Sequence, residues 1–172
     1  MQRSEKIWRG VLYVGVALAL GLGLVDAIRG GVLAEGTKAP ELVGKRADDG
    51  ARFTLAEVQG KVTLLAFWAS WCGACRHELP ILRKLENEYR DKGLALVTVN
   101  VDPDTGTDIA NWFGSLGPPL VVVPDGASAR AWRVKTLPTL YLLDREGTIV
   151  LGRSGTVSAA VLRQQIDAAL GR

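Results

Sequence analysis

Two uninterrupted apolar runs constrain this chain more than any other feature. One is Val62-Thr63-Leu64-Leu65-Ala66-Phe67, entered through Lys61; the other is Leu94-Ala95-Leu96-Val97-Thr98-Val99-Asn100-Val101. Neither alternates with polar residues, so each reads as a strand covered on both faces of a sheet. Residues 73–91 between them read as a helix, stopped by the basic Lys92 and by Gly93. Strand and helix signals keep alternating: a short strand over 52–55, a helix over 104–115 capped by Asp104 or Thr105, and a strand over 120–123. A brief helix over 127–132 and a strand over 139–143 come next. The turn Asp144-Arg145-Glu146-Gly147 leads to a strand over 148–151. The last helix opens at Thr156 or Ser158 and repeats Val157, Val161, Leu162, Ile166, Ala169 and Leu170 at helical spacing. The order β-α-β-α-β-α-β-β-α implies an α/β fold, a central mixed sheet flanked by helices on both faces and closed by a hairpin. Residues 30–50, rich in Gly, Pro and charge, read as a linker entering an irregular segment.

With 172 residues, 48% of them hydrophobic, the chain can bury one core and still carry an appendage. Its charge is unevenly placed. Residues 1–34 hold four basic and two acidic side chains, whereas the other 138 hold 17 and 16. The body is nearly neutral, which gives no case for nucleic-acid binding. The appendage is the N-terminus. From Gly10 to Val25 there is no charge, Ile7 and Trp8 extend the run backwards, and Arg3, Lys6 and Arg9 precede it. It is apolar all round and close to the ~20 residues that span a bilayer, so an anchor over about 7–28 is expected. The competing reading is a cleaved signal peptide ending near Val32-Leu33-Ala34, with Asp26 and Arg29 standing between the apolar run and that site. Residues 1–9 carry a net +2 and residues 26–35 a net −1, so the positive-inside rule keeps the N-terminus in the cytoplasm and exports the body. Both readings place the body where disulfides persist. The expected division is a tail, anchor and start of linker over 1–34 and a globular domain over 35–172.

The only two cysteines, Cys72 and Cys75, fall where the first buried strand meets its helix. A bond between them would close a loop too short to stabilise the fold much. Covalent haem attachment needs His directly after the second Cys, and Arg76 stands there. Zinc would have to be held by Cys72, Cys75, His77 and Glu78, which cannot easily wrap a tetrahedron from seven consecutive positions. A copper carrier of the Sco type would need wider cysteine spacing and a distant His. A redox pair fits better. At a helix start the unpaired N–H groups and the dipole favour a thiolate at Cys72, and Cys75 lies on the same helical face within reach. One sulfur can attack a disulfide and the other can resolve the mixed disulfide.

"FWASWCGAC" with "HELP" after it, and "VKTLPTLYLLDREG" further on, resemble the thioredoxin superfamily, and within it the exported, membrane-tethered TlpA/ResA/CcmG group. The resemblance covers residues 36–170. It implies a thioredoxin-like domain over 35–172 and a thiol:disulfide oxidoreductase acting as a reductase of partner proteins without metal or organic cofactor. The implied catalytic residues are Cys72, Cys75 and Glu78, which matches an acidic residue of the ResA-like group. Trp71, Gly73 and Ala74 would form the substrate-facing loop. Leu137, Pro138 and Thr139 match the loop whose proline is cis in this fold and whose backbone pairs with substrate. Pro80 matches the proline that kinks the active-site helix. Implied partners are disulfide-bearing proteins, including apocytochrome c, and an upstream membrane thiol donor. Two departures stand out: Ala66 replaces thioredoxin's buried Asp, which moves proton handling to Glu78, and Ala74 replaces the Pro between the cysteines. An oxidase or isomerase of the same fold, or a metal- or peptide-binding module, is the alternative. Elsewhere the plain reading is preferred. Trp68, Trp112 and Trp132 are packing residues, His77 and Arg76 are exposed, and Asp102, Asp104, Glu86 and Glu88 are capping or surface charges.

Overall fold

A computed structural model describes residues 13–15, 31–102 and 120–171. Residues 13–15 are helical, and among the described residues no helix is long and apolar enough to cross a membrane. Most of the expected anchor, and the whole expected helix over 104–115 with Trp112, lie outside the described residues. The chain divides into Met1–Gly31 and Val32–Arg172; the fold that follows belongs to the second unit.

Seven strands form one mixed sheet in the order β2-β1-β5-β4-β3-β6-β7. They are β1 (Val43–Arg46), β2 (Arg52–Thr54), β3 (Val62–Trp68), β4 (Leu94–Asn100), β5 (Leu120–Pro124), β6 (Thr139–Leu143) and β7 (Ile149–Ser154). β3, β4 and β5 run parallel, and the outer strands pair antiparallel. The helices are α1 (Gly73–Tyr89), α2 (Gly126–Ala131) and α3 (Ala159–Leu170). Ser158 caps α3, its hydroxyl accepting from the Val161 N–H. All seven residues of β3 are buried, the state its unbroken apolar run requires.

Because side chains alternate across a strand, β3 builds two cores at once. Val62, Leu64, Ala66 and Trp68 face Leu79, Leu82 and Leu85 of α1 and Leu162, Ile166 and Ala169 of α3. Leu65 and Phe67 face the opposite layer with Val97, Val99, Tyr141 and Trp132, the residue that ends α2. Phe67, Tyr141 and Trp132 form an aromatic triad with centroids 5.1–6.0 Å apart, a favoured spacing. Helices therefore cover both faces, and Trp68 and Trp132 are packing residues. α1 stops where expected: a 3-10 turn over Arg90–Lys92 ends at Gly93 with φ 101°, a conformation glycine adopts without strain.

One stretch differs from the sequence reading. Within the segment expected to be irregular, Val43–Arg46 is a strand joining β2 to β5. Its four residues carry no periodic signal of their own, and pairing on both sides makes them a strand. Gly44 is what permits the close approach: a Cβ there would lie 2.3 Å from the Val123 carbonyl oxygen and 2.7 Å from Val122 Cγ1. Gly44→Ala is therefore expected to push β1 off β5 and cost about 1–3 kcal/mol. Urea denaturation should show a lower midpoint; an unchanged midpoint would contradict this packing.

Candidate active site

β3 ends at Trp68, and the chain then turns through Ala69-Ser70-Trp71 into α1. Cys72 is the N-cap of that helix, with extended backbone (φ −82°, ψ 99°), and its sulfur accepts from the Cys75 N–H at 3.2 Å. An N-cap side chain ordinarily takes an orphan helix N–H; here sulfur does so. Cys72 and Cys75 are joined as a disulfide, S–S 2.09 Å with Cα atoms 5.3 Å apart. Cys75 is fully buried and Cys72 nearly so, whereas Trp71 beside them is 73% exposed. Gly73, Ala74, Arg76 and His77 lie on the exposed side of the first helical turn.

The turn before Cys72 is tied to the end of β4. Asp102 Oδ2 accepts from the Ser70 N–H at 3.1 Å and also from the Ser70 hydroxyl. The Asp102 N–H in turn donates to Asn100 Oδ1 at 2.8 Å. Sequence reasoning placed Asp102 among the capping or surface charges, yet only 5% of it is exposed. The available signal was its position immediately after a fully buried strand, where a loop folding over the sheet needs acceptors. Glu86 is likewise covered: it accepts from Arg83 one turn before it and from Arg90 Nε at 3.1 Å. Glu88 is exposed and pairs with Arg163 at 3.0 Å.

Glu78 follows Cys75 by three residues on the buried side of α1, and only 3% of it is exposed. Its Oε1 accepts from the Val157 N–H at 2.8 Å. Burial pushes the Glu78 carboxyl above its ordinary range, and the bond from Val157 offsets part of that shift. Ala66 is buried in the same cluster as both cysteines, so no acid occupies the position opposite them on β3. Pro80 lies within α1.

On the neighbouring strand the Leu137–Pro138 bond is cis. Thr139 pairs with Phe67 at the last rungs of β3, so the Pro138 loop and the Cys72 turn leave the same end of the sheet. Leu137 packs against the cluster that contains both cysteines. The loop is held by Thr139 Oγ1 donating to the Thr136 carbonyl at 2.7 Å and by Gly155 N–H donating to the Pro138 carbonyl at 2.8 Å. Among the described residues, no cluster of three or more His, Cys, Asp or Glu could hold a metal ion.

A sheet of this order, with a cysteine pair opening the helix after a buried inner strand, defines the class: thioredoxin-like thiol:disulfide oxidoreductases. The chain belongs to the Redoxin family, which it matches over residues 34–169. It is 30% identical over 173 residues to thiol-disulfide oxidoreductase ResA of Bacillus subtilis, covering 97% of this chain and 95% of that one. It is 35% identical over 138 residues to the thioredoxin-like protein YneN of the same organism, covering 77% and 79%. A Chlorobium tepidum structure assigned as the thiol:disulfide interchange protein DsbE superposes with TM-score 0.71 at 36% identity, covering 81% of this chain and 99% of that one.

Two outcomes follow from this geometry. A carboxyl whose folded pKa is raised stabilises the fold fully below its ordinary value of 4.5 and loses that contribution as pH rises through the folded value. Glu78→Gln keeps an acceptor for Val157 and removes the charge. Its melting temperature relative to wild type is therefore expected to climb from pH 4 to pH 7; a difference that stays flat would show that Glu78 is not held against ionisation. Asp102→Ala strips the acceptor from two Ser70 donors and is expected to cost about 1–3 kcal/mol, read as a lower urea midpoint at unchanged slope.

Proposed function

We propose that the protein is an exported disulfide reductase that uses Cys72 as nucleophile and Cys75 as resolving thiol. The observation that carries this is the position of Cys72 Sγ, at the helix N-terminus and on the Cys75 N–H. That placement favours a thiolate, the form that attacks disulfides. The reduced Cys72 thiolate attacks one sulfur of a substrate disulfide, forming a mixed disulfide and releasing the other substrate sulfur as a thiolate. Cys75 then gives up its proton, attacks Cys72 Sγ and expels the second substrate thiolate. The substrate gains two electrons, and the enzyme is left with the Cys72–Cys75 disulfide. Glu78, buried one turn along with raised proton affinity, is the group assigned to take the Cys75 proton. A dithiol donor resets the pair.

The surface assigned to substrate is Trp71, Gly73 and Ala74 at the helix start, with Leu137, Pro138 and Thr139 across from it. Their common sheet end and the exposure of Trp71 support that reading. Disulfide-bearing proteins are the substrate class. Apocytochrome c is the proposed member of it, and a membrane thiol carrier is the proposed donor. The apolar N-terminal run over about 7–28, with its basic flank, would hold the domain on the extracytoplasmic face of the membrane. No metal or organic cofactor enters the cycle.

The full chain should reduce insulin with dithiothreitol, and Cys72→Ser should remove at least about 100-fold of that rate. Cys75→Ser should accumulate a mixed disulfide on Cys72. Equilibration with glutathione should give a potential near about −270 mV; a value near about −120 mV would make the protein an oxidant. Insulin reduction untouched by Cys72→Ser would end the enzymatic reading.

A further inference from the structure

The segment that delivers Pro138 to the cysteines carries three cations around one open cavity. That cavity, of about 530 Å³, is lined by Ala129, Arg130, Arg133, Val134 and Lys135. None of the three cations forms an ion pair among the described residues, and Asp125 acts electrostatically on Arg130. Arg133 and Lys135 lie five and three residues before Pro138. Leu137, two residues past Lys135, packs on the cysteine cluster and on the Trp132 and Val134 side alike, so the segment lining the cavity runs directly into the loop assigned to substrate.

Two features separate this cluster from a chance run of surface charge. The first is Arg133, the one described non-glycine residue with positive φ, at 51°. It sits just past Trp132, the C-cap of α2, where the chain turns left-handed and glycine is the favoured residue. An arginine there accepts backbone strain, which points to a use for its side chain. The second is rigidity. Asp125 Oδ1 accepts from the Ser128 N–H at 2.7 Å, and Ser128 Oγ accepts from the Val43 N–H at 2.9 Å. At the other end of α2 the Trp132 carbonyl accepts from the Tyr141 hydroxyl at 3.0 Å. The backbone carrying Arg130 is thus fixed at both ends, and Arg133 follows directly on the second anchor, which lowers the ordering cost of binding an anion there. A cation in the last turn also suits the helix dipole, which accounts for Arg130; Lys135, beyond the helix, is not explained that way.

We propose that Arg130, Arg133 and Lys135 form a recognition cavity for a carboxylate side chain flanking the disulfide of the substrate polypeptide, so that acidic disulfide segments are preferred. The proposal rests on the reading that substrate polypeptides dock beside Pro138. Charge complementarity supplies the selectivity, and arginine supplies the forked geometry a carboxylate matches.

The test uses the full chain and two fluorescent disulfide-containing peptides, one with Asp and Glu flanking the disulfide and one with Asn and Gln. Anisotropy measures binding and thiol release measures turnover. Wild type should bind the acidic peptide about tenfold more tightly at low salt, with the preference collapsing at high salt, consistent with roughly two- to fivefold per exposed charge contact. Arg133→Gly combined with Lys135→Gln should erase the preference while leaving binding of the neutral peptide unchanged. Arg133→Gly alone should also raise the melting temperature, because glycine relieves the left-handed position. Acidic peptide bound selectively but never reduced would uphold the cavity and remove the reductase reading. Equal binding of both peptides, or a preference that survives the substitutions, would overturn the cavity even with turnover intact. Weakened association with phosphatidylglycerol vesicles, with peptide binding unmoved, would assign these cations to lipid and overturn it too.

Discussion

The junction where β3 becomes α1 is the constraint on which the rest of the structure depends. β3 is buried along its whole length and paired on both sides, so its end cannot shift without moving both cores. α1 begins after four intervening residues and is pinned by Leu79, Leu82 and Leu85 against that same strand. The intervening turn has no freedom to drift, because Asp102 fastens Ser70 from the end of β4. Cys72 therefore meets the orphan amides of a helix start whose position is set by two independent packing layers. Stability and reactivity share one device here: the interactions that end the strand also orient the dipole that favours a thiolate.

Much of this was legible in the sequence, and what was not has identifiable causes. β3, β4, β6, α1 and α3 are self-declaring, since continuous burial or 3.6-residue spacing appears within each segment. The cysteine spacing is a local pattern, whereas Leu137-Pro138-Thr139 stands out only through its resemblance to the thioredoxin superfamily. β1 does not, because Val43–Arg46 is made a strand by partners far away in sequence and by the absence of a side chain at Gly44. Asp102 was misjudged for a related reason: an acid after a strand looks solvated until the Ser70 turn folds over it. The strain at Arg133 could not be read either, since left-handed backbone is a property of the assembled helix end and not of the residue that occupies it.

Ala66 leaves the β3 side of the cysteine cluster apolar, and the buried acid described near that cluster in sequence, Glu78, stands on α1 instead. An apolar residue on β3 leaves the cysteine cluster without an acid from the sheet side. Glu78 lies one turn along α1 from Cys75 and is buried, and burial alone would penalise its charge. The Val157 N–H, next to the cap of α3, gives that charge one partner. Desolvation still dominates, so the carboxyl ends with raised proton affinity rather than lowered. That balance is the one the proton-accepting role proposed for Glu78 calls for. The bond to Val157 also ties the start of α3 to α1, so the environment that raises the Glu78 carboxyl depends on how α3 seats against the sheet.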